Sequence, residues 1–380
     1  MSKITCVEDF RQLYKRRVPK MFYDYVEAGS YTESTFHRNE NELKDVCIRQ
    51  RVGVDISNVD TSTTMVGADA KIPVAFAPIG MLGIQNAGGE IKVATAAHDY
   101  GVPFILSTMS ICSIEQIQEA TGTPFWFQLY VVKDREFVRD LIHRAKAANC
   151  SALVVTMDLP MLGQRHKDVK NELSIRPNFR NMLNIMTKPK WAFEMATTPY
   201  KGFGNVMGHA KGVDDLSSLL VWAKEMVDPA LDWEYVEWIR QEWGGKIILK
   251  GILDVEDAQI AASMGIDSII VSNHGGRQLD GAGSSIYWLP RIADAVGDKM
   301  ELLFDSGVHT GMDIFRAKAL GASGVLLGRS MVYALGAMGR PGIDQLLQIY
   351  ENELKTTMGL AGKTKISDIQ SGDVYSVWDQ

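Results

Sequence analysis

Residues 268–281 read SIIVSNHGGRQLDG. Ile269, Ile270 and Val271 follow one another without polar alternation, and a loop of Ser, Asn, His, two Gly and Arg then opens. A strand that is apolar on both faces belongs in a parallel sheet covered by helices on both sides. Seven further short runs resemble it, at 73–78, 102–107, 126–130, 152–157, 246–250, 302–305 and 324–327. Longer amphipathic segments separate them, which is the pattern of repeated βα units. Eight such units predict a closed (β/α)8 barrel, a TIM barrel. A doubly wound open sheet needs a glycine-rich fingerprint after its first strand. IPVAFAPIGMLGIQ at 72–85 supplies none, and GAGSS at 281–285 follows a loop, not a strand.

Two segments lie outside this repeat. The first sixty residues read as helices: Val7, Phe10, Leu13 and Tyr14 fall at helical spacing within 7–17, and Pro19 opens a second helix that Gly29 closes. Between the fourth and fifth strands, residues 158–245 are far more than one crossover helix needs, and 163–230 is read as an insertion in one barrel domain spanning 1–380. Within it, 163–215 holds nine Lys/Arg (Arg165, Lys167, Lys170, Arg176, Arg180, Lys188, Lys190, Lys201, Lys211) and five acids (Asp168, Glu172, Glu194, Asp214, Asp215), a net of about +4. Met182, Leu183, Ile185, Met186, Trp191, Phe193 and Met195 are interleaved with these charges. That composition suits either a lid over the site or a basic amphipathic patch resting on anionic lipid.

The remaining composition narrows the class. With 380 residues, 46% hydrophobic and 23% charged, the chain has ordinary globular composition. A net charge of -6 argues against a broad nucleic-acid interface. Cys6, Cys47, Cys112 and Cys150 are far apart and form no CxxC pair, so neither disulfides nor a metal site are expected. MSKITCVEDF lacks the apolar run of a signal peptide, and no stretch of about 18 apolar residues occurs, so the expectation is a cytoplasmic protein without a spanning helix.

Barrels of this kind carry their chemistry at the carboxyl ends of the strands. Those ends here are Ala77 and Pro78, Ser107, Gln128 and Tyr130, Thr156 and Asp158, Lys250, Ser272 and His274, Asp305, and Gly328 with Arg329. A purely structural barrel has no need of so many polar groups there. His274 and Arg277 share one tight loop, in which Gly275 and Gly276 allow the backbone to approach a ligand closely. Arg165, in MLGQRHKD beyond the fourth strand, provides a second guanidinium for one substrate carboxylate. Asp158 is placed to pair with His274 and support it as a base. After strands seven and eight, LFDSGVHTG and GVLLGRS carry Gly307, Gly311, Gly328 and Arg329, the materials of a phosphate site.

These motifs resemble the FMN-dependent L-2-hydroxy acid oxidase and dehydrogenase family. The similarity runs from VPKMFYDYVEAG through RVGVDIS, FAPIG, LSTMSICSIE, FWFQLYV, TMDLPMLGQRHKD, ILKGIL, SNHGGRQLDG and DSGV to GRSMVYAL, and SNHGGRQ is its most specific part. The wording, including the long insertion, resembles the bacterial respiratory, quinone-dependent L-lactate dehydrogenases most closely. The resemblance implies FMN as cofactor and His274 as catalytic base supported by Asp158. It implies that Arg165 and Arg277 grip the substrate carboxylate with Tyr25, and that Tyr130 lies near the hydroxyl. Lys250 falls beside flavin N1 and the C2 carbonyl, where negative charge develops on reduction. Ala77, Ser107, Gln128 and Thr156 fall at the isoalloxazine with Ser272 close by, and Pro78, Ile79 and Gly80 join them in the same loop. Asp305 matches the ribityl contact, and Ser306, Gly307, Gly328 and Arg329 belong to the phosphate end. The resemblance also implies a homo-oligomer, a tetramer in many relatives.

Several expectations follow. Met109, Met81 and Leu162 are expected near the substrate side chain, and Met109 leaves moderate room, which suits lactate. Gly80 and the basic insertion favour a membrane-associated quinone acceptor over oxygen; an oxygen-using oxidase is the alternative. A non-redox FMN barrel has no use for Arg165, His274 and Arg277 together, and a flavin-less binding protein is the remaining reading. One position departs from the pattern: His309 in DSGVHTG stands where relatives carry an arginine. An imidazole is only partly charged at neutral pH, so weaker FMN retention that improves as pH falls is expected.

Overall fold

In the computed structural model, which describes residues 3–171, 178–213, 218, 222 and 227–376, all eight expected runs form strands. They are β1 (Val74–Phe76), β2 (Ile105–Ser107), β3 (Trp126–Leu129), β4 (Ala152–Thr156), β5 (Lys246–Ile252), β6 (Ser268–Val271), β7 (Glu301–Phe304) and β8 (Gly324–Leu327). Every neighbouring pair is parallel, from β2–β3 round to β8–β1. A parallel bridge between Phe76 and Phe104 joins β1 to the start of β2, so the sheet closes into a barrel.

Closure divides the apolar side chains into two layers. Ala75, Ile105, Trp126, Ala152, Val154, Ile248, Ile270, Leu303 and Leu326 point inward and fill the barrel. Alternate residues such as Leu153, Val155, Ile269 and Val271 pack outward against the helices. This is why the strands read as continuous apolar runs. A hairpin of Thr63–Met65 and Ala68–Ala70 plugs the amino-terminal end. Its Met65 and Val66 join the inner core, and the Val66 N–H donates to the Glu301 carboxylate.

Ahead of the barrel come α1 (Val7–Arg17), α2 (Lys20–Glu27) and α3 (Ser34–Asp45). Helix does not extend to residue 60. Val46–Ile48 forms a strand antiparallel to Val374–Ser376, and 49–60 follows irregularly, tied to the C-terminal region where Arg51 N–H donates to Leu360 O. In the insertion, helices Phe179–Met186 and Pro189–Thr197 lie on the side of α1 and α2: Trp191 stacks near Phe22 at 5.4 Å. Glu172, Arg176, Asp214 and Asp215 of the charge count lie outside the described residues. The four cysteines are free thiols, two of them buried.

Candidate active site

The carboxyl end of the barrel opens into a cleft with about 1060 Å³ of space. A polar belt runs across its floor. The Ser107 hydroxyl donates to Gln128 Oε1 at 2.9 Å, and Gln128 Nε2 donates to Thr156 Oγ1 at 2.9 Å. Ser107 and Thr156 end β2 and β4, and Gln128 is the last but one residue of β3, opposite Ser107, so their strands set their spacing. Thr156 is paired with Lys250 of β5. The buried Lys250 ammonium donates to Ser272 Oγ at 2.8 Å and lies 2.8 Å from Asp305 Oδ2. Burial pushes the Asp305 carboxyl up, but the charge and hydrogen bond of Lys250 bring it below the ordinary carboxylate value. A buried cation is therefore held at the floor by a carboxylate that stays ionised.

The loop after β6 brings the second group. His274 Nδ1 lies 3.0 and 3.2 Å from the two Asp158 oxygens, which leaves Nε2 as the nitrogen available to a ligand. Asp158 is fixed in turn: Gln278 Nε2 donates to its carbonyl at 2.7 Å. At Gly251, φ is +99° and a Cβ would fall 2.5 Å from Asp158 Cγ, so a side chain there would expel the carboxylate. Asn273 and Asn39 exchange reciprocal side-chain hydrogen bonds of 2.7 and 2.8 Å, anchoring the loop to α3. Gly276 shows why the second glycine is needed, with φ at +72° and the Phe36 backbone 2.5 Å from where a Cβ would stand.

Arg277 donates to the carbonyls of Tyr25 and Ala28 at 2.7 and 2.9 Å. Its guanidinium lies 4.8 Å from the Tyr25 ring centre, with that of Arg165 at 6.0 Å from the same ring. Asp168 holds Arg165 through Nε at 2.7 Å. Burial, then the like charge of Arg165, pushes the Arg277 guanidinium down to about 10. Arg165 has the Asp168 carboxylate as partner while Arg277 donates to backbone carbonyls, so a further anion beside Arg277 would relieve the repulsion it feels. Burial also raises the Tyr130 hydroxyl above its ordinary range, so it faces the cleft as a protonated donor.

At the far end the cleft is lined by Asp305, Ser306, Gly307, His309, Gly328 and Arg329. Arg329 also begins a helix, and helix N-termini favour anions. Its guanidinium donates to Val26 O and Gly275 O, both at 2.9 Å. His309 Nε2 lies 3.4 Å from Glu40 Oε1. These residues fit FMN. A long cleft offers a charged floor at one end and a helix N-terminus with an arginine at the other. A Cβ on Gly328 would come within 3.9 Å of Ala77 and 3.8 Å of Ile79, narrowing the passage between β1 and β8.

Tyr25, Ala77, Pro78, Ile79, Gly80, Tyr130, Thr156, Lys250, His274 and Arg277 all line this one cleft. Gln128, Ser272 and Asp158 stand one hydrogen bond behind it and Ser107 two, through Gln128, and Arg165 flanks it beside Tyr25. Met109 and Leu162 are not on its wall. Met109 is tied through its carbonyl to Met81 N–H at 2.9 Å, and Leu162 is 54% exposed. Val26, Phe36, Asn39 and Glu40 also line the cleft or brace it, and were not foreseen. Their one sequence signal is the helical periodicity of α2 and α3, which says nothing of where those helices dock.

A barrel with this charged floor and anion-binding end is the frame of a flavin mononucleotide enzyme. Over residues 14–376 the chain matches the FMN-dependent dehydrogenases, and it belongs to that family, with FMN as its cofactor. It is 44% identical over 373 residues to an L-lactate dehydrogenase of Caulobacter vibrioides (strain NA1000 / CB15N), covering 96% of each chain. It is 45% identical over 372 residues to an L-lactate dehydrogenase of Actinobacillus pleuropneumoniae serotype 5b (strain L20), covering 96% of this chain and 97% of the relative. Among solved structures it is similar to the monotopic membrane protein (S)-mandelate dehydrogenase, at TM-score 0.94 and 31% identity over 99% of this chain and 100% of that one. A mandelate oxidase structure matches at TM-score 0.84 and 34% identity, covering 98% of both.

Proposed function

We propose that the protein oxidises an L-2-hydroxy acid, L-lactate, to the 2-oxo acid, and passes the electrons to a quinone at a membrane. The carrying observation is that Arg165 and Arg277 flank one tyrosine while His274, backed by Asp158, faces the same cleft as Lys250. In this reading the paired guanidiniums hold the substrate carboxylate, and its anionic charge relieves their mutual repulsion. Tyr25 closes the carboxylate side and Tyr130 donates toward the hydroxyl. His274 Nε2 takes a proton from the substrate, and Asp158 stabilises the imidazolium that results. Bound FMN supplies the two-electron acceptor. The belt Ser107–Gln128–Thr156 and Lys250 hold its ring, with Asp305 and the Gly307–Gly328–Arg329 end holding the ribityl phosphate.

The 44–45% identity to L-lactate dehydrogenases supports lactate. The membrane acceptor is supported by the two insertion helices, which leave Phe179, Met182, Leu183, Met186 and Phe193 exposed by 50–78%. No helix among the described residues is long and apolar enough to cross a membrane, so contact would lie in the interface plane.

An anaerobic absorption spectrum of the FMN-loaded protein, before and after L-lactate, tests the reaction. Bleaching by lactate in preference to mandelate is expected. Bleaching by mandelate alone would reassign the substrate, and none with any 2-hydroxy acid would overturn the reading. Admitting air afterwards separates acceptors: slow recovery fits a quinone enzyme, and immediate recovery an oxidase.

A further inference from the structure

A short stretch of the insertion is built into the loop that follows β2. Asn205, well inside the insertion, is fully buried. Its Oδ1 accepts from Ile114 N–H at 2.8 Å. Its Nδ2 lies 3.3 and 3.5 Å from the carbonyls of Ser107 and Thr108, and 3.0 Å from Ser110 Oγ. One side chain thus serves groups spread over 107–114, which an amide can do because it carries both donors and an acceptor. The backbone beside it is equally close. Gly204 N–H donates to the carbonyls of Ser110 and Ile111, both at 3.2 Å, and a Cβ on Gly204 would fall 2.7 Å from Ser113 N. Val206, Ala210 and Val213 carry the stretch on into the core.

What the β2 loop holds gives this contact its consequence. Ser107 donates to Gln128 and so begins the belt that ends at Thr156. Thr108 Oγ1 donates to Gln128 O at 2.7 Å and accepts from Tyr130 N–H at 3.1 Å, which fixes the backbone that presents the Tyr130 ring. The far end of the loop is gripped from the barrel side by the buried Glu90, whose Oε1 accepts from Ile111 N–H at 2.9 Å and Gly83 N–H at 3.0 Å. Asn205 reaches the near end, at Ser107 and Thr108. Arg144 holds the same stretch of the insertion by its backbone, donating to the Asn205 carbonyl at 3.1 Å, and pairs with Glu115 at 2.8 Å.

We propose that Asn205 is a positioning residue: through the carbonyls of Ser107 and Thr108, the insertion sets where the belt and Tyr130 stand. The inference rests on the reading above, in which the belt holds the flavin ring. An amide that only anchored the insertion would need no partner beyond the outer turn, at Ser110 and Ile114. The reach to 107 and 108 is what ties it to the site.

The test compares Asn205→Asp, Asn205→Ala, Arg144→Gln and Gln128→Met with the parent. Each is followed by FMN titration, by urea unfolding and, once saturated with FMN, by its visible spectrum and its anaerobic reduction by L-lactate. Asn205→Asp keeps an acceptor for Ile114 N–H and turns an oxygen, in place of the donor, towards the two carbonyls. Both Asn205 variants are expected to shift the flavin bands, to bind FMN roughly tenfold more weakly and to slow reduction at saturating lactate about tenfold. Arg144→Gln loosens the same stretch without touching 107 or 108, and is expected to lose stability while keeping the parent spectrum and rate. Asn205 variants that unfold more easily but keep the parent spectrum and limiting rate would make Asn205 an anchor only and overturn the proposal. An Arg144→Gln protein altered as far as they are would overturn it too, because loosening the stretch would then suffice. Gln128→Met with the parent spectrum and FMN affinity would overturn the belt reading itself. A changed Gln128→Met beside unchanged Asn205 variants would overturn the inference alone. Should neither Asn205 variant fold, the parent decides: FMN is expected to slow amide exchange at Gly204 and Ile114, and no change there overturns the coupling.

Discussion

His274 stands at φ +58°, a left-handed conformation that costs a non-glycine residue on the order of 1 kcal/mol or more. The strain is held by Gly275 and Gly276 on one side and by the Ser272 hydroxyl, which accepts from His274 N–H at 3.1 Å, on the other. Asparagine tolerates this conformation better than most residues. His274→Asn is therefore expected to fold and bind FMN while anaerobic flavin reduction by lactate slows about 10²–10⁴-fold. Reduction within tenfold of the parent rate would remove His274 from the base role. His309 calls for a different measurement. It lies 3.4 Å from Glu40 at the end of the cleft proposed to take the phosphate. A guanidinium carries a permanent charge and a bidentate donor fork for phosphate. His309→Arg is therefore expected to tighten FMN, as read by flavin fluorescence titration. An unchanged affinity would sink the idea.

Among the elements, α2 bears most directly on the site, because its last turn presents Tyr25 and Val26 to the cleft. One ion pair holds that turn. Arg11 of α1 donates to the nearly buried Glu27 at 2.7 and 3.1 Å. Burial alone would raise the Glu27 carboxyl; Arg11 reverses this and leaves it below the ordinary value. A depressed carboxyl contributes stability above its unfolded pKa of about 4.3, and that contribution is lost as pH falls below it. Arg11→Met is expected to cost about 2–3 kcal/mol at pH 7, somewhat less than a fully buried pair because Arg11 is 37% exposed. Its penalty is expected to shrink towards pH 4, because without Arg11 the buried Glu27 carboxyl is pushed up and is neutral there, while the unfolded chain is also taking up its proton. Urea unfolding at the two pH values checks this, and an equal penalty at both would contradict it. The same helix shows where sequence reading ended. Strands apolar on both faces announce themselves, so all eight were legible, as were the polar residues closing them. The docking of α2 and α3 depends on contacts such as Asn39 with Asn273, 234 positions apart, and no local pattern carries that. The hairpin at 63–70 was also illegible, because three-residue strands have too few positions to show alternation. The need for glycine at 251 is set by Asp158 packing against it, which no local pattern carries.

At the scale of the whole molecule, the cofactor cleft is assembled from two bodies of contacts that differ in how they are secured. The barrel floor rests on strand pairing and an interior filled by its own side chains. α1 is likewise secured on its own: Tyr14 donates to Gln85 at 2.6 Å and its ring lies 5.8 Å from that of Tyr333. α2 and α3 instead contribute Tyr25, Val26, Phe36, Asn39 and Glu40 to the cleft wall, and meet the barrel across it. A ligand filling that space adds contacts to both sides at once. At an FMN concentration a hundred times its dissociation constant, the native state gains about 2.7 kcal/mol, and part of this is expected to appear as local ordering. Hydrogen exchange is therefore expected to slow on FMN binding across α2 and α3, and in the loop after β6 that Asn273 ties to them. Exchange in α1 and in the centre of β4 is expected to change little below the global unfolding limit. Equal slowing in α1 and α3 would mean that the N-terminal helices move as one with the barrel, and that the cleft is preformed before the cofactor arrives.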